Sequence, residues 1–381
     1  MNMPGDNSEE KSKLSQEKIY QVALSMVPGV GDIIAKTLVS YCGSAGEVFK
    51  KTKNQLSKIP GIGSVNAENI HSFKNFTAAE SEIKKCESLN YKILFITDKE
   101  YPKKLKHAPD SPVVLFYKGT ADLNGQKTIS IVGTRKSTAY GREFTEKIVE
   151  QLKAHQVQII SGLAYGIDIC AHKAALKNGM ETIGVMASGL DIIYPSSHRG
   201  VALEMLECGG LITEFVVGEK PEAHNFPARN RIIAGMSDAV IVIEAATKGG
   251  ALITAEIANS YNRDVFALPG DVSRKFSEGC NNLIKQNKAV ILTSIEDIEY
   301  VMNWQHEVAT PSTDEKYYDY SALSHEEKII IDMLSTAQEG MLIDELSWKS
   351  QIPLNKLASI LLNLEFSGII KPLPGKKFKL K

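Results

Sequence analysis

Through the middle of the chain, short β-branched runs alternate with stretches in which apolar residues recur every three or four positions. That alternation predicts a parallel sheet flanked by helices. The runs are Ile129–Val132, Val157–Ile160, Thr182–Met186, Ala239–Ile243 and Asp264–Leu268, each followed by a loop of glycines or small residues. The expected architecture is α/β, an extended Rossmann-like parallel sheet core over residues 90–302.

The pattern changes on both sides of this core. Residues 15–80 carry helical periodicity broken by two similar turns, Val27-Pro28-Gly29-Val30-Gly31 and Ile59-Pro60-Gly61-Ile62-Gly63. They resemble tandem helix-hairpin-helix motifs, and a small all-α helix-hairpin-helix (SAM-like) domain is expected here. The glycines permit tight turns and let N–H groups at a helix start approach a phosphate; alternatively, the turns only join packed helices. Residues 1–14 are polar and read as a disordered tail, and residues 303–320, NWQHEVATPSTDEKYYDY, read as a linker. Residues 321–381 predict three helices, the last opened by Pro353, then an extended stretch with a Pro-Gly turn. This order resembles a winged-helix domain. Its end, KPLPGKKFKLK, holds five lysines and no acid, which suits either a DNA backbone contact or a solubilising surface.

Composition narrows the function classes. With 43% apolar and 23% charged residues among 381, the chain has the makeup of an ordinary globular protein. Lysine plus arginine (44) nearly balance aspartate plus glutamate (45), so any nucleic-acid site must be a local basic patch. Cys42, Cys86, Cys170, Cys208 and Cys280 are scattered without a C-x-x-C pair, offering no zinc framework and reading as packing residues. The polar amino terminus lacks the apolar segment of a secretion signal, and no stretch reaches the ~18 apolar residues of a membrane span, so a cytoplasmic protein without membrane contact is expected.

Ligands of open α/β sheets bind outside the carboxyl ends of the strands, and there the loops are rich in cations and glycines. Gly133-Thr134-Arg135-Lys136-Ser137 places two cations just ahead of a helix start, a seat for phosphate. The Ser161–Asp168 loop offers close backbone approach at Gly162 and Gly166, with Asp168 suited to cap the next helix. Arg199 follows the third strand. Arg229 and Arg231 open a helix two residues apart, which points them in different directions: one is free to hold the backbone of a ligand while the other braces a neighbouring loop or carboxylate. Lys248-Gly249-Gly250 opens a further helix.

Among anions, a dinucleotide is disfavoured by the missing G-x-G-x-x-G, and an ATPase by the missing G-x-x-x-x-G-K-[ST]. No cofactor is expected. Phosphate-friendly groups spread over several loops suit a polymer crossing the sheet edge, with Tyr140, Tyr165, Tyr194 and Phe226 available to stack bases.

The ordered segments VGTRKS, SGLAYGID, GLDIIYPSS, NFPARNRIIAG, EAATKGGALITA, FALPGDV and GCNNLI resemble the DNA-processing protein A (DprA/Smf) family over residues 90–300. The resemblance implies a non-enzymatic protein that binds single-stranded DNA through the Rossmann domain, dimerises through it and loads the RecA recombinase in natural transformation. By position it implies a pocket of Arg135, Ser161 and Gly162 with Arg229, Arg231 and Lys248 close by; the expected DNA-binding set is completed by Gly133, Thr134, Lys136 and Arg199. The chain departs from the family pattern at Glu181, at His198-Arg199-Gly200 and at Lys248-Gly249-Gly250. Two rival classes remain. One is a nucleotide phosphoribohydrolase, whose loop is echoed by Gly249-Gly250 and Glu256 but lacks its glycine and threonine at Leu252 and Ile253. The other is a protein-only scaffold.

Overall fold

The computed structural model describes residues 6–125, 127–304, 323–335, 337, 340–367, 369–373 and 377–380. The chain divides into two compact units at residues 306 and 307, within the stretch expected as a linker, which from residue 305 on lies outside the described residues.

The first unit opens with six helices: α1 (Asp6–Ser25), α2 (Asp32–Cys42), α3 (Ala45–Lys50), α4 (Lys53–Leu56), α5 (Ser64–His71) and α6 (Phe76–Ser88). Helix α1 begins at Asp6, so residues 6–14 are helical rather than the disordered tail expected. Their glutamates and lysines are good helix formers. Gly29 and Gly61 sit at φ of 77° and 81°, the left-handed backbone that glycine adopts without strain. After each turn a helix starts, with Gly31 and Gly63 at the caps of α2 and α5. Asn69 ties the repeats together by donating to the Pro28 carbonyl at 2.9 Å. Tyr20, Phe49, Phe73 and Phe76 fill the space between the helices with ring centroids 5.1 to 5.9 Å apart.

A nine-stranded sheet follows: β1 (Lys92–Phe95), β2 (Val114–Gly119), β3 (Thr128–Val132), β4 (Gln158–Ser161), β5 (Thr182–Val185), β6 (Gly209–Thr213), β7 (Ala239–Val242), β8 (Asp264–Ala267) and β9 (Val290–Ile291). Its order is β1-β2-β6-β5-β4-β3-β7-β8-β9. From β6 to β9 all neighbours are parallel, and β2 and β1 add two antiparallel strands. The five runs marked in the sequence are β3, β4, β5, β7 and β8. Strands β3, β4, β5 and β7 are buried throughout, as parallel strands covered on both faces must be. The covering helices are α7 (Lys103–Lys106), α8 (Ala139–Leu152), α9 (Ile167–Lys177), α10 (Arg199–Cys208), α11 (Asn225–Met236), α12 (Gly250–Ser260), α13 (Glu278–Lys285) and α14 (Ile295–Val301). The chain moves outward from β3 through β4 and β5 to β6, then returns to place β7 on the other side of β3. That reversal opens a crevice between the loops after β3 and β7.

The helical part and the sheet part are one body, because charged groups join them. Asp32, the first residue of α2, accepts from the Val113 N–H at 3.0 Å and from Arg231 at 2.9 Å. Arg231 also bonds Glu214 and the Asp110 carbonyl, while Lys36 donates to the Ala108 carbonyl (2.7 Å) and Ser111 (2.9 Å). Burial pulls the Arg231 pKa down, but Glu214, Asp32 and Asp110 together hold it above the ordinary value. The helix start after the first glycine turn is thus engaged by the sheet domain. Gly61 and Gly63 of the second turn are exposed.

The second unit contains α15 (His325–Ser335), β10 (Met341–Leu342), α16 (Ile343–Ser350), α17 (Leu354–Phe366), β11 (Ile370–Leu373) and β12 (Lys377–Leu380). Strand β12 lies between β10 and β11, and Ile330, Leu346, Leu357, Leu361 and Leu364 pack at its centre. Three helices with a small sheet form the winged helix that the sequence pattern predicts. Among the described residues, no helix of either unit is long and apolar enough to cross a membrane.

Two stability predictions follow from these contacts. Removing one member of a buried ion pair typically costs about 3–5 kcal/mol, so Arg231→Leu should lower the unfolding free energy by about that amount in urea denaturation. His172 on α9 is buried with Nδ1 2.7 Å from Thr182 Oγ1, whose own proton goes to the Ile159 carbonyl. Burial, reinforced by Arg229 and His198, lowers its pKa to about 3. The unfolded imidazole takes up its proton near pH ~6.5, well above the folded one. Stability should therefore decline as pH falls from ~6.5 toward 3, by up to about 1.4 kcal/mol per pH unit. His172→Gln should flatten that decline in pH-dependent urea titrations.

Candidate nucleic-acid interface

The crevice at the strand reversal holds a cavity of about 340 Å³. Gly133, Thr134 and Arg135 line it from the loop after β3, Ala164 from the loop after β4, Asp168 from the first turn of α9, and Phe226, Arg229 and Asn230 from α11. Lys248, Gly249 and Gly250 close it from the start of α12, whose free N–H groups and dipole favour an anion. A smaller cleft adjoins it, lined by Arg135, Gly162, Ala164, Tyr165, Tyr194, Pro195 and Phe226. Arg135, Ala164 and Phe226 belong to both. One side therefore offers cations and a helix start, and the other aromatic faces.

Two guanidinium groups converge on one ring. Arg135 lies 5.2 Å from the Phe226 ring centroid and Arg229 lies 6.0 Å away, both within cation–π range. Tyr194 meets the same ring edge-on at 6.0 Å. Arg135 is exposed, free to meet a ligand. Arg229 is only 4% exposed and donates to the Val185 carbonyl at 3.1 Å. Burial lowers its pKa to about 10, with Asp168 opposing the shift, so it stays cationic at neutral pH. Asp168 is itself buried and accepts from the Ala164 N–H at 3.4 Å. It lies inside the first turn of α9, and the cap position expected for it is held by Gly166; its carboxylate faces Arg229 and the loop instead.

The expected site residues fall into four groups. Gly133, Thr134, Arg135, Gly162, Arg229 and Lys248 line the two adjoining cavities. Ser161 lies directly beneath, fully buried, its hydroxyl donating to the Ile131 carbonyl at 2.6 Å; it ties β4 to β3 rather than facing a ligand. Lys136 and Arg199 are exposed but line neither cavity. Arg231 is turned to the opposite side of α11, where Asp32 and Glu214 hold it. Of the two arginines, Arg229 lines the cavity, whereas Arg231, expected in the DNA-binding set, is held by two carboxylates. Of the four aromatics, Tyr165, Tyr194 and Phe226 line the smaller cleft, whereas Tyr140 donates to the Pro269 carbonyl at 2.9 Å. Asn230, Thr254 and Phe276 also line the larger cavity. Their uncharged side chains gave no signal in the sequence beyond proximity to glycine loops. Glu256, which echoes the phosphoribohydrolase glutamate, points elsewhere, with its carboxylate 2.6 Å from Lys288 Nζ.

A Cβ at Gly162 would sit 1.5 Å from an Arg229 nitrogen. Gly162→Ala must therefore expel or distort a buried cation. It should cost about 3 kcal/mol or more by the combined overpacking and loss of pairing, visible as a lowered Tm in thermal unfolding.

Comparison with known proteins places this architecture. Residues 92–303 match the family model for DNA recombination-mediator protein A, and residues 318–376 match the DprA winged helix domain. The chain is 40% identical to protein Smf of Synechocystis sp. over 283 residues, 73% of this chain and 71% of that protein. It is 34% identical to protein Smf of Escherichia coli over 307 residues, covering 79% and 81%. Among solved structures, DNA processing protein A of Streptococcus pneumoniae aligns with a TM-score of 0.65 at 33% identity, over 74% of this chain and 96% of that one. The Helicobacter pylori protein, described for its single-stranded DNA binding mode, aligns with a TM-score of 0.51 at 29% identity, over 56% and 96%. On the strength of the matched core and the coverage of its relatives, the chain belongs to the DNA recombination-mediator protein A (DprA/Smf) family.

Proposed function

We propose that this protein binds single-stranded DNA at the crevice between β3 and β7, without catalysis, and hands the strand to the RecA recombinase in natural transformation and recombination. The observation that carries the reading is the exposed Arg135 guanidinium, 5.2 Å from the Phe226 ring where a cationic cavity meets an aromatic cleft. A strand crossing that junction places a phosphate against Arg135, Lys248 and the start of α12, and a base against Phe226 or Tyr194. Such contacts are indifferent to sequence. The Helicobacter pylori relative's single-stranded DNA binding supports the same substrate.

The remaining steps extend this reading. Strand β9 is an edge of the sheet, and Val290 and Ile291 on it are 39% and 45% exposed, which suits a homodimer formed through the Rossmann domain. A dimer holding DNA by its phosphates leaves bases open for RecA to nucleate and protects the incoming strand meanwhile. The setting is the cytoplasm, where RecA works. A phosphoribohydrolase reading loses its acid, because Glu256 is paired to Lys288 outside the cavity lining.

Binding of a labelled oligothymidine across a salt series tests this. Log affinity should fall with log salt by about 0.7 per neutralised phosphate, and duplex DNA should bind more weakly. Arg135→Glu should lose at least about tenfold in affinity, a change of about 1.4 kcal/mol. Equal binding by the variant would move the site to another part of the chain, and no binding by either protein would favour a scaffold.

A further inference from the structure

Tyr165 stands on the aromatic side of the crevice with 50% of its surface exposed, and contacts at both ends hold it in place. Its hydroxyl accepts from Ser197 Oγ at 3.1 Å. Its ring meets that of the buried His198 at 4.8 Å between centroids and 72° between planes. An edge contact of this kind covers at most one face of the tyrosine. Phe226 and Tyr194, the other rings of the smaller cleft, meet each other instead. That cleft has only about 20 Å³ of free space, room for little more than one water, so no base slides in between the rings. A base that reaches this side must stack on a ring from the solvent.

The backbone beneath Tyr165 is held as firmly as its ring. Leu163, two residues earlier, is buried at φ 57°, left-handed backbone that a leucine takes only where its surroundings impose it. His198 supplies one constraint, with Nδ1 2.8 Å from the Leu163 carbonyl; a carbonyl only accepts, so Nδ1 carries the proton. On the other side, Gly166 packs tightly on the loop after β3. A Cβ there would lie 2.1 Å from the Thr134 carbonyl oxygen and 2.7 Å from the Arg135 carbonyl carbon. Residues 163–166 are therefore clamped between His198 and the backbone that carries Arg135, which sets the ring and the guanidinium in fixed register. We propose that Tyr165 is the platform on which one base of the bound strand stacks, and that His198, helped by Ser197, is the residue that positions it. The inference rests on the DNA reading of the crevice and adds a base-binding element beside the phosphate seat. Every base has a π-face, so such a platform adds affinity without sequence preference. A ring that is already fixed loses little freedom when a base lands on it, and this is what the two anchors contribute.

The test uses the full chain and two probes of equal length at one salt concentration: oligothymidine, and a strand of abasic sugar-phosphate units. Wild type should prefer oligothymidine by about fivefold or more, the contribution of a single stacked base. Tyr165→Ala should cut that preference by at least about threefold, through weaker binding of oligothymidine alone. His198→Asn keeps an N–H for the Leu163 carbonyl but removes the ring beside Tyr165, and should weaken oligothymidine in the same selective way. The double variant should bind no worse than Tyr165→Ala, because the histidine acts through the tyrosine. Ser197 is exposed, so Ser197→Ala leaves the core untouched and should show the same selectivity to a smaller degree. An unchanged preference in Tyr165→Ala overturns the platform. Variants of His198 and Ser197 that match wild type, or that weaken both probes equally, overturn the positioning role, as does a double variant worse than Tyr165→Ala. The DNA reading is judged apart from these outcomes. If wild type binds both probes alike and Arg135→Glu loses both, the crevice holds a strand but no base stacks on Tyr165; if wild type binds neither probe, both readings fall.

Discussion

Everything around the site depends on a cation that the fold has taken out of water. An isolated guanidinium in the interior would be prohibitively costly, so Arg229 persists only because its surroundings compensate it. The Val185 carbonyl accepts one of its protons, and the Asp168 carboxylate opposes the pull of burial on its charge. The loop after β4 carries no side chain at Gly162, leaving the room that the guanidinium fills. The charge then acts on what lies above it. Arg229 and Arg135 both lie within cation–π range of the Phe226 ring, the first buried and the second exposed.

Helix α11 links this site to the rest of the first unit. Arg229 and Arg231 are two positions apart, about 200° around the helix axis, and so reach opposite surroundings. One lies beneath the cavity; the other is bound to Asp32 of the amino-terminal helices and Glu214 after β6. A single rigid element therefore holds both the buried cation of the crevice and the docking of the helical part. Hydrogen bonds from Lys36 and to Glu82 repeat that docking at two further points. Next to the first glycine turn, the Asp32 and Lys36 side chains make these contacts, while Pro28, Gly29 and Gly31 of the turn itself are exposed.

What could be read in advance divides along physical lines. The strands β3, β4, β5, β7 and β8 were legible because they are almost wholly buried, so their sequences are short runs rich in β-branched and other apolar residues. Strands β1, β2, β6 and β9 lie toward the edges. Strand β6 opens with Gly209-Gly210, residues that normally argue against a strand; a Cβ at Gly209 would strike the Thr182 carbonyl of β5 at 2.1 Å. The glycine there records a close approach between strands that only the paired neighbour explains. The site followed the same rule. Cations beside glycines were visible as a motif, which brought out Arg135, Arg229 and Lys248. Which side of a helix each one faced was not, because that depends on carboxylates supplied by residues as distant as Asp32. Arg231 and Arg229 look equivalent in the sequence and differ entirely in their partners.

A formal charge of −1 does not describe the field at the crevice. Several acids are spent on the chain's own structure: Asp32 and Glu214 on Arg231, Glu82 on the Val217 N–H, and Glu244 on the start of α8 through Thr138. An acid buried against a partner projects little field into solvent. Arg135 and Lys248 stand exposed at the crevice mouth, where the low-dielectric walls of the sheet domain concentrate their field. Net charge averages the spent and the available groups together, whereas the field at the crevice mouth is set by the groups that stand exposed there.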